Sequence, residues 1–228
     1  PAGVAARRRE EMRRAGATGE LLEMAASAEE ERQAVEGLVA ADVDLVEGTE
    51  VPTGLGTWRA LETPGHAPSH VSLHLPERRL LISGDLIFAA FSPHYDYGWT
   101  PDPVAEYLGS LERIGALDVE AALPGHGRPM TSEEVEAAVA GHTVAVHRQV
   151  DAVLAAVSGR ERTAAEVMAE VFPEDVGTRT AGWRIWDTLA YLRHLQLRGA
   201  VVRREAADGR DRWTAAAPGT TGGGATTS

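Results

Sequence analysis

An α+β fold is predicted for this chain, from three observations. Short apolar or alternating runs of strand length occupy the middle, between about 40 and 125. Longer stretches of helical spacing flank them on both sides. The last third reads as three helices followed by a hairpin, so helices and strands are segregated rather than strictly alternating.

The elements follow in order. Residues 4–40 are rich in Ala, Glu, Arg and Leu, with Leu21, Leu22, Met24, Val35 and Leu38 at loose helical spacing. Gly16 and Gly19 interrupt them, which predicts two helices. Short strands are expected at 42–46 and 57–61. Residues 70–75 alternate and 80–83 are apolar, and Pro76-Glu77-Arg78-Arg79 supplies the turn of a hairpin. A helix is expected from Asp102 to about Ala116, with Pro103 at its first position. A strand at 119–123 follows, then a helix whose capping box is Thr131 with Glu134 and which reaches Gly141 or further.

Beyond it, 143–157, a helix capped by Thr163 and Glu166, and 180–197 give three helices. Strands 201–205 and 212–214 flank an Ala207-Asp208-Gly209 turn. Three helices and a hairpin make a winged-helix-like domain. The expected division is 1–142, 143–214 and a disordered Gly/Thr/Ser tail, 215–228.

Composition excludes several classes. With 228 residues, 43% of them hydrophobic, the chain can bury a core. No run of about 18 apolar residues suggests a membrane span. Ala5-Ala6-Arg7-Arg8-Arg9-Glu10-Glu11 is charged and not followed by an apolar stretch, unlike a signal peptide. A cytoplasmic location is the default expectation. A formal charge of -12 disfavours nucleic acid and anionic lipid as partners. A small-molecule substrate is expected, and homo-oligomerisation is left open.

Three stretches carry candidate chemistry: Thr63-Pro64-Gly65-His66, Ser83-Gly84-Asp85 and Leu123-Pro124-Gly125-His126-Gly127. Each places a His or Asp beside a Gly, where a strand should run into a loop. His and Asp are ligands that a hydrolytic Zn2+ accepts, and a chain without cysteine offers no competing thiolate. A dinuclear site needs about seven or eight ligand positions, about four per zinc. These stretches offer three, so only part of an active site is expected here.

The order T-P-G-H, S-G-D, L-P-G-H-G resembles the second half of the metallo-β-lactamase-fold hydrolases, the glyoxalase II-like and lactonase-like group, over roughly residues 40–150. The resemblance implies the C-terminal half of an αββα sandwich, and the winged-helix-like appendage found in some members extends it to about residue 214. It implies that His66 binds one metal, Asp85 bridges both and takes the catalytic role, and His126 binds the other. Two Zn2+ ions would serve the complete protein, with Fe or Mn as alternatives. The implied reaction is hydrolysis of an ester, thioester or lactone-type bond through a metal-bound hydroxide. The family's upstream H-x-H-x-D-H string does not occur in this sequence. The chain is therefore expected to be a fragment, inactive alone; a non-catalytic interaction module or a winged-helix nucleic-acid-binding protein are the alternatives.

Other residues are weighed beside these. His70, four residues after His66, is expected to support the site by hydrogen bonding. His74 reads as a plain strand residue. Around the mouth that the resemblance implies, His94, Tyr95, Tyr97 and Trp99 are candidate substrate contacts, against the alternative of a packed aromatic loop. His142 and His147 read as core or surface residues. Arg184, Arg193, Arg198, Arg203 and Arg204 could touch phosphates, but acidic residues nearly match them in number, which favours a structural role. Trp183, Trp186, Leu189 and Leu192 read as packing residues.

Overall fold

A computed structural model describes residues 2–23, 40–178 and 180–217, with the side chains of 2–5 left aside. The expected second helix beyond residue 23 and most of the expected tail lie outside the described residues. The chain divides into two compact units, Arg32–Gln149, and Pro1–Glu31 together with Val150–Ser228.

The first unit is built on one six-stranded sheet, in the order β1 (Glu50–Thr53), β2 (Gly56–Glu62), β3 (Val71–Leu75), β4 (Leu80–Gly84), β5 (Ala121–Pro124), β6 (Met130–Thr131). The strand expected at 42–46 does not form. Val43 and Val46 are exposed there, and the Thr49 amide instead closes a turn onto the Val46 carbonyl at 3.0 Å. Pairing begins at Glu50, where Thr53 faces Gly56 across the two-residue turn Gly54-Leu55. Pro52 argues against a strand by propensity, yet β1 lies at the sheet edge, where a missing N–H costs no ladder bond.

β3 and β4 form the expected hairpin, with Leu73 opposite Ile82 and a 3-10 turn at Pro76–Arg78. Arg79 closes that turn in the left-handed region at φ 54. The strand read at 119–123 occupies 121–124 instead. β4 and β5 run parallel, which requires a long crossover, and α2 (Pro103–Gly115) lies in it. Asp102 caps α2 by accepting the Ala105 amide at 3.0 Å.

This topology decides where the loops meet. β2 is antiparallel to β3, β3 to β4, and β4 is parallel to β5, so the C-terminal ends of β2, β4 and β5 share one edge of the sheet. The three motif stretches leave those three ends.

α3 (Ser132–Val157) opens with the predicted box: Thr131 N–H donates to Glu134 at 2.9 Å, and Glu134 N–H returns a 3.4 Å contact to the Thr131 hydroxyl. Bonds from Arg128 and the Thr131 backbone pull the Glu134 carboxyl down to about 2. The two helices expected on either side of residue 142 are one helix of 26 residues, so a boundary there falls inside α3. Gly141 costs propensity but does not break the ladder.

The second unit collects α1 (Ala2–Arg14), α4 (Ala164–Val171), α5 (Ala181–Leu197) and the hairpin β7 (Val201–Glu205) with β8 (Asp211–Ala215). The N-terminal helix groups with this unit, rather than with the motif-bearing region as the expected 1–142 domain had it. Ala165 N–H donates to the Ala15 carbonyl at 2.9 Å, and Arg14 grips the buried Asp211 at 2.9 and 3.2 Å. Met12, Ile185, Tyr191 and Trp213 are fully buried and form the core. Thr163 and Glu166 make the expected capping box.

Trp186, Leu189 and Leu192 pack as read from the sequence. Trp183 does not; it is 58% exposed, because its position on α5 turns it off the buried stripe. The basic residues read as phosphate contacts are largely occupied within the chain. Arg184 pairs with Asp175 at 2.7 Å and Asp187 at 3.2 Å, Arg203 with Asp211 at 2.6 Å, and Arg204 with Glu161 at 3.2 Å.

Candidate metal centre

The three predicted ligands converge. His66 Nε2 lies 3.6 Å from one Asp85 oxygen and His126 Nε2 lies 3.5 Å from the other. The side chains of His66 and Asp85 are about a quarter to a third exposed, whereas His126 is 72% exposed.

Local backbone chemistry explains the convergence. Gly65 sits at φ +135, and a Cβ there would stand 2.5 Å from the Tyr107 Cα, so only glycine lets the loop before His66 run this close to α2. Ser110 on α2 donates to the Pro64 carbonyl at 2.7 Å and pins the same loop. Across the sheet end, Gly125 N–H donates to the Gly84 carbonyl at 2.8 Å. A Cβ on Gly125 would fall 2.2 Å from Asp85 Oδ1. Gly65 therefore turns the chain against α2, and Gly125 clears space around the carboxylate.

His70 is hydrogen-bonded at both ring nitrogens. The Asp85 backbone N–H donates to its Nε2 at 3.3 Å, and its Nδ1 lies 2.9 Å from the Thr63 hydroxyl. Accepting at Nε2 requires the neutral ring to carry its proton on Nδ1, which donates to Thr63. Thr63 is also 2.9 Å from the buried Ser72 hydroxyl. Burial, then the neighbouring His66, lowers the His70 pKa, with Asp85 opposing, and this favours the neutral ring.

Sequence reasoning missed a second residue hydrogen-bonded beside Asp85. Tyr107 is 1% exposed; its hydroxyl donates to the Leu86 carbonyl at 3.0 Å, next to Asp85, and lies 3.0 Å from His142 Nδ1. No sequence signal marks the pair, because Tyr107 and His142 lie on different helices. His142 takes the core role read for it, at 4% exposure. Burial lowers its pKa, with the Phe88 backbone opposing. The Phe88 ring bridges the two histidines by edge contacts, 5.8 Å from His126 and 6.4 Å from His142.

The candidate substrate contacts fare differently. Tyr95 is fully buried edge-on against Tyr107, at 5.8 Å, so the packed-loop alternative describes it. His94 lies beside His66, with ring centroids 6.0 Å apart. Trp99 is 49% exposed. Beside His126 opens a cleft of about 420 Å³, lined by Phe91, Met130, Ala137, Ala138 and His142 among others, and by none of Tyr95, Tyr97 and Trp99.

The donor set can be tested against a metal pair. Two imidazoles address opposite oxygens of one carboxylate, as a bridging ligand would require, and His66 Nδ1 is shut from solvent without a hydrogen-bond partner. Among the described residues no group of three His, Cys, Asp or Glu could hold an ion by itself. The residues fit half of a dinuclear centre: one nitrogen and one oxygen for each ion, against about four donors each.

A profile of the metallo-beta-lactamase superfamily matches residues 7–126, more than half of the chain. The chain belongs to that superfamily. It is 32% identical over 126 residues to a Bacillus subtilis protein named "Probable metallo-hydrolase YqjP", covering 53% of this chain and 39% of that one. Among solved structures, the metallo-beta-lactamase family protein TTHA1429 of Thermus thermophilus matches at TM-score 0.76 and 25% identity, over 94% of this chain and 64% of its own. A beta-lactamase domain protein of Burkholderia ambifaria matches at TM-score 0.70 and 28% identity, over 84% of this chain and 60% of its own. The chain thus spans under two thirds of the length of each of these relatives.

Proposed function

We propose that this chain is the portion of a metal-dependent hydrolase that carries the bridging carboxylate and one histidine for each of two ions. The observation that carries the reading is Asp85, flanked through its two oxygens by His66 and His126 at 3.6 and 3.5 Å from separate strand ends. The bond cleaved is of the ester, thioester or lactone type, and Zn2+ is the favoured metal for a nitrogen and oxygen donor set, with Fe or Mn as alternatives. A bound pair would supply Lewis-acid polarisation of the substrate carbonyl and a water acidic enough to attack at neutral pH.

The chain's own residues do the positioning. Asp85 orients both halves of the centre, His70 holds the Asp85 backbone through its amide, and Tyr107 holds the next peptide through the Leu86 carbonyl. The second unit acts as a structural, winged-helix-like appendage, a reading supported by the internal pairing of Arg184, Arg203 and Arg204. The test uses the full-length protein, with metal content and turnover of an ester and thioester panel measured together. Asp85→Ala is expected to lose both metal and hydrolysis; wild-type turnover by that variant refutes the bridging assignment.

A further inference from the structure

His126 differs from the other two candidate ligands in how little orients its ring. The backbone is tethered on both sides, by the Gly125 N–H on the Gly84 carbonyl at 2.8 Å and by the Arg128 guanidinium paired with Glu134. The imidazole itself is 72% exposed. A histidine that binds metal is usually oriented by a hydrogen bond from its other ring nitrogen to a carboxylate, a carbonyl or water. Among the described residues, the polar partner of the His126 ring is Asp85, 3.5 Å from Nε2, on the side where an ion would sit. An aromatic contact stands in place of the usual hydrogen bond. The Phe88 ring meets the imidazole edge-on, with centroids 5.8 Å apart and planes at 68°, a geometry in which such pairs attract.

Phe88 offers a fixed edge because the turn that carries it is pinned at three successive residues. The Tyr107 hydroxyl donates to the Leu86 carbonyl at 3.0 Å, the Ser83 hydroxyl donates to the Ile87 carbonyl at 3.2 Å, and the Phe88 backbone accepts from the His142 ring. Tyr107, Ser83 and His142 are all buried, so water does not compete for these bonds. They come from α2, β4 and α3, three elements of one unit. Leu86 and Ile87 are fully buried between them. The Phe88 ring also packs against the His142 ring at 6.4 Å, and Phe91 meets that ring at 5.3 Å.

We propose that Phe88 is the positioning residue for His126: seated by the pinned turn, its ring holds an exposed imidazole toward Asp85. The proposal rests on the hydrolase reading, since it concerns the ion that His126 would hold. It makes the two halves of the centre unequal. The His66 ring is only 26% exposed, and Ser110 pins its loop through the Pro64 carbonyl at 2.7 Å. The ion on the His66 side therefore does not depend on Phe88, whereas the ion on the His126 side does.

The test reads metal affinity and ring contact rather than turnover. Full-length protein stripped of metal is titrated with Zn2+ against a chromophoric chelator, which reports the two ions as separate steps. Phe88→Leu keeps apolar bulk but removes the ring edge; it is expected to weaken one step by about 2- to 12-fold, the worth of one aromatic pair, and to leave the other unchanged. Phe88→Tyr keeps the ring and should restore the weakened step. In NMR spectra of the metal-free protein, cross-relaxation between the ring protons of residues 88 and 126 should appear in the parent and in Phe88→Tyr. A merely structural role for Phe88 would weaken both steps alike. That result, an unweakened Phe88→Leu, a Phe88→Tyr variant that restores nothing, or a parent without the ring-to-ring signal overturns the proposal. A parent that shows the signal yet binds no Zn2+ would instead sink the hydrolase reading on which the proposal rests.

Discussion

Gly125→Ala separates what the fold needs from what the centre needs. The new Cβ would stand 2.2 Å from Asp85 Oδ1 and 3.3 Å from Asp85 Cγ, while the nearest backbone atom, the Gly84 carbonyl carbon, is 3.3 Å away. Residue 125 has no positive φ, so alanine meets no backbone strain there. The conflict falls on the end of one side chain, which can rotate. An off-rotamer turn of about 30° costs roughly 0.5–1.5 kcal/mol. For a chain of this length that lowers Tm by about 1–6 °C. Function should suffer far more, because the rotated carboxylate leaves its place 3.5 Å from His126. Displacing even a group that merely supports a metal ligand weakens metal affinity by about 10- to 100-fold, so a displaced ligand should lose at least that. Urea unfolding of this chain measures the first effect, and metal content of the full-length protein after dialysis the second. Wild-type metal retention, or a stability loss above about 3 kcal/mol, would refute the reasoning.

Three further outcomes are expected. Gly65→Ala should behave oppositely, destabilising the chain by about 2–6 kcal/mol in urea, since φ +135 and a 2.5 Å approach to the Tyr107 Cα add backbone strain to overpacking; an unchanged midpoint would mean that the loop is free to move off α2. Tyr107→Phe should cost about 1–3 kcal/mol by leaving the Leu86 carbonyl and His142 Nδ1 unmatched in a buried place, and equal stability would show that neither bond matters. For Asp211, burial pushes the carboxyl pKa up, but Arg14 and Arg203 outweigh it and hold the value below normal. Its stabilising contribution is therefore complete above the unfolded value of about 3.9 and fades as pH falls through the lower folded value. Asp211→Asn should destabilise at pH 7 by about 1.5–3 kcal/mol and flatten the acid limb of a stability-against-pH curve; parallel curves for variant and parent would contradict the ion-pair account.

Much of the candidate site was legible in the sequence because each candidate ligand is tied to a local signal. Gly65, Gly84 and Gly125 mark sharp exits from strands, and the hairpin around Pro76–Arg78 brings the chain back so that the first two exits leave the same end of the sheet, one strand apart. The Asp102 cap and the Thr131 and Thr163 boxes were equally readable, since capping is chemistry within four residues. The misreadings share one cause. Residues 42–46 mix Asp42 and Asp44 with three apolar side chains and find no partner strand, and β1 forms instead around Pro52 because the two-residue turn at Gly54-Leu55 folds it onto β2. Tyr95 and Trp99 look alike in sequence, yet one is fully buried and the other 49% exposed.

By itself, the sequence determined which side chains could serve a metal, the order in which they arrive, and the turns that free them, because those depend on backbone chemistry over a few residues. Only the tertiary structure decided that His66, Asp85 and His126 meet at one sheet edge, that Tyr107 and His142 stand behind them, and that the N-terminal helix groups with the C-terminal unit. Those outcomes depend on strand register and helix packing between residues up to about two hundred positions apart, such as Arg14 and Asp211, and local propensity carries no record of them.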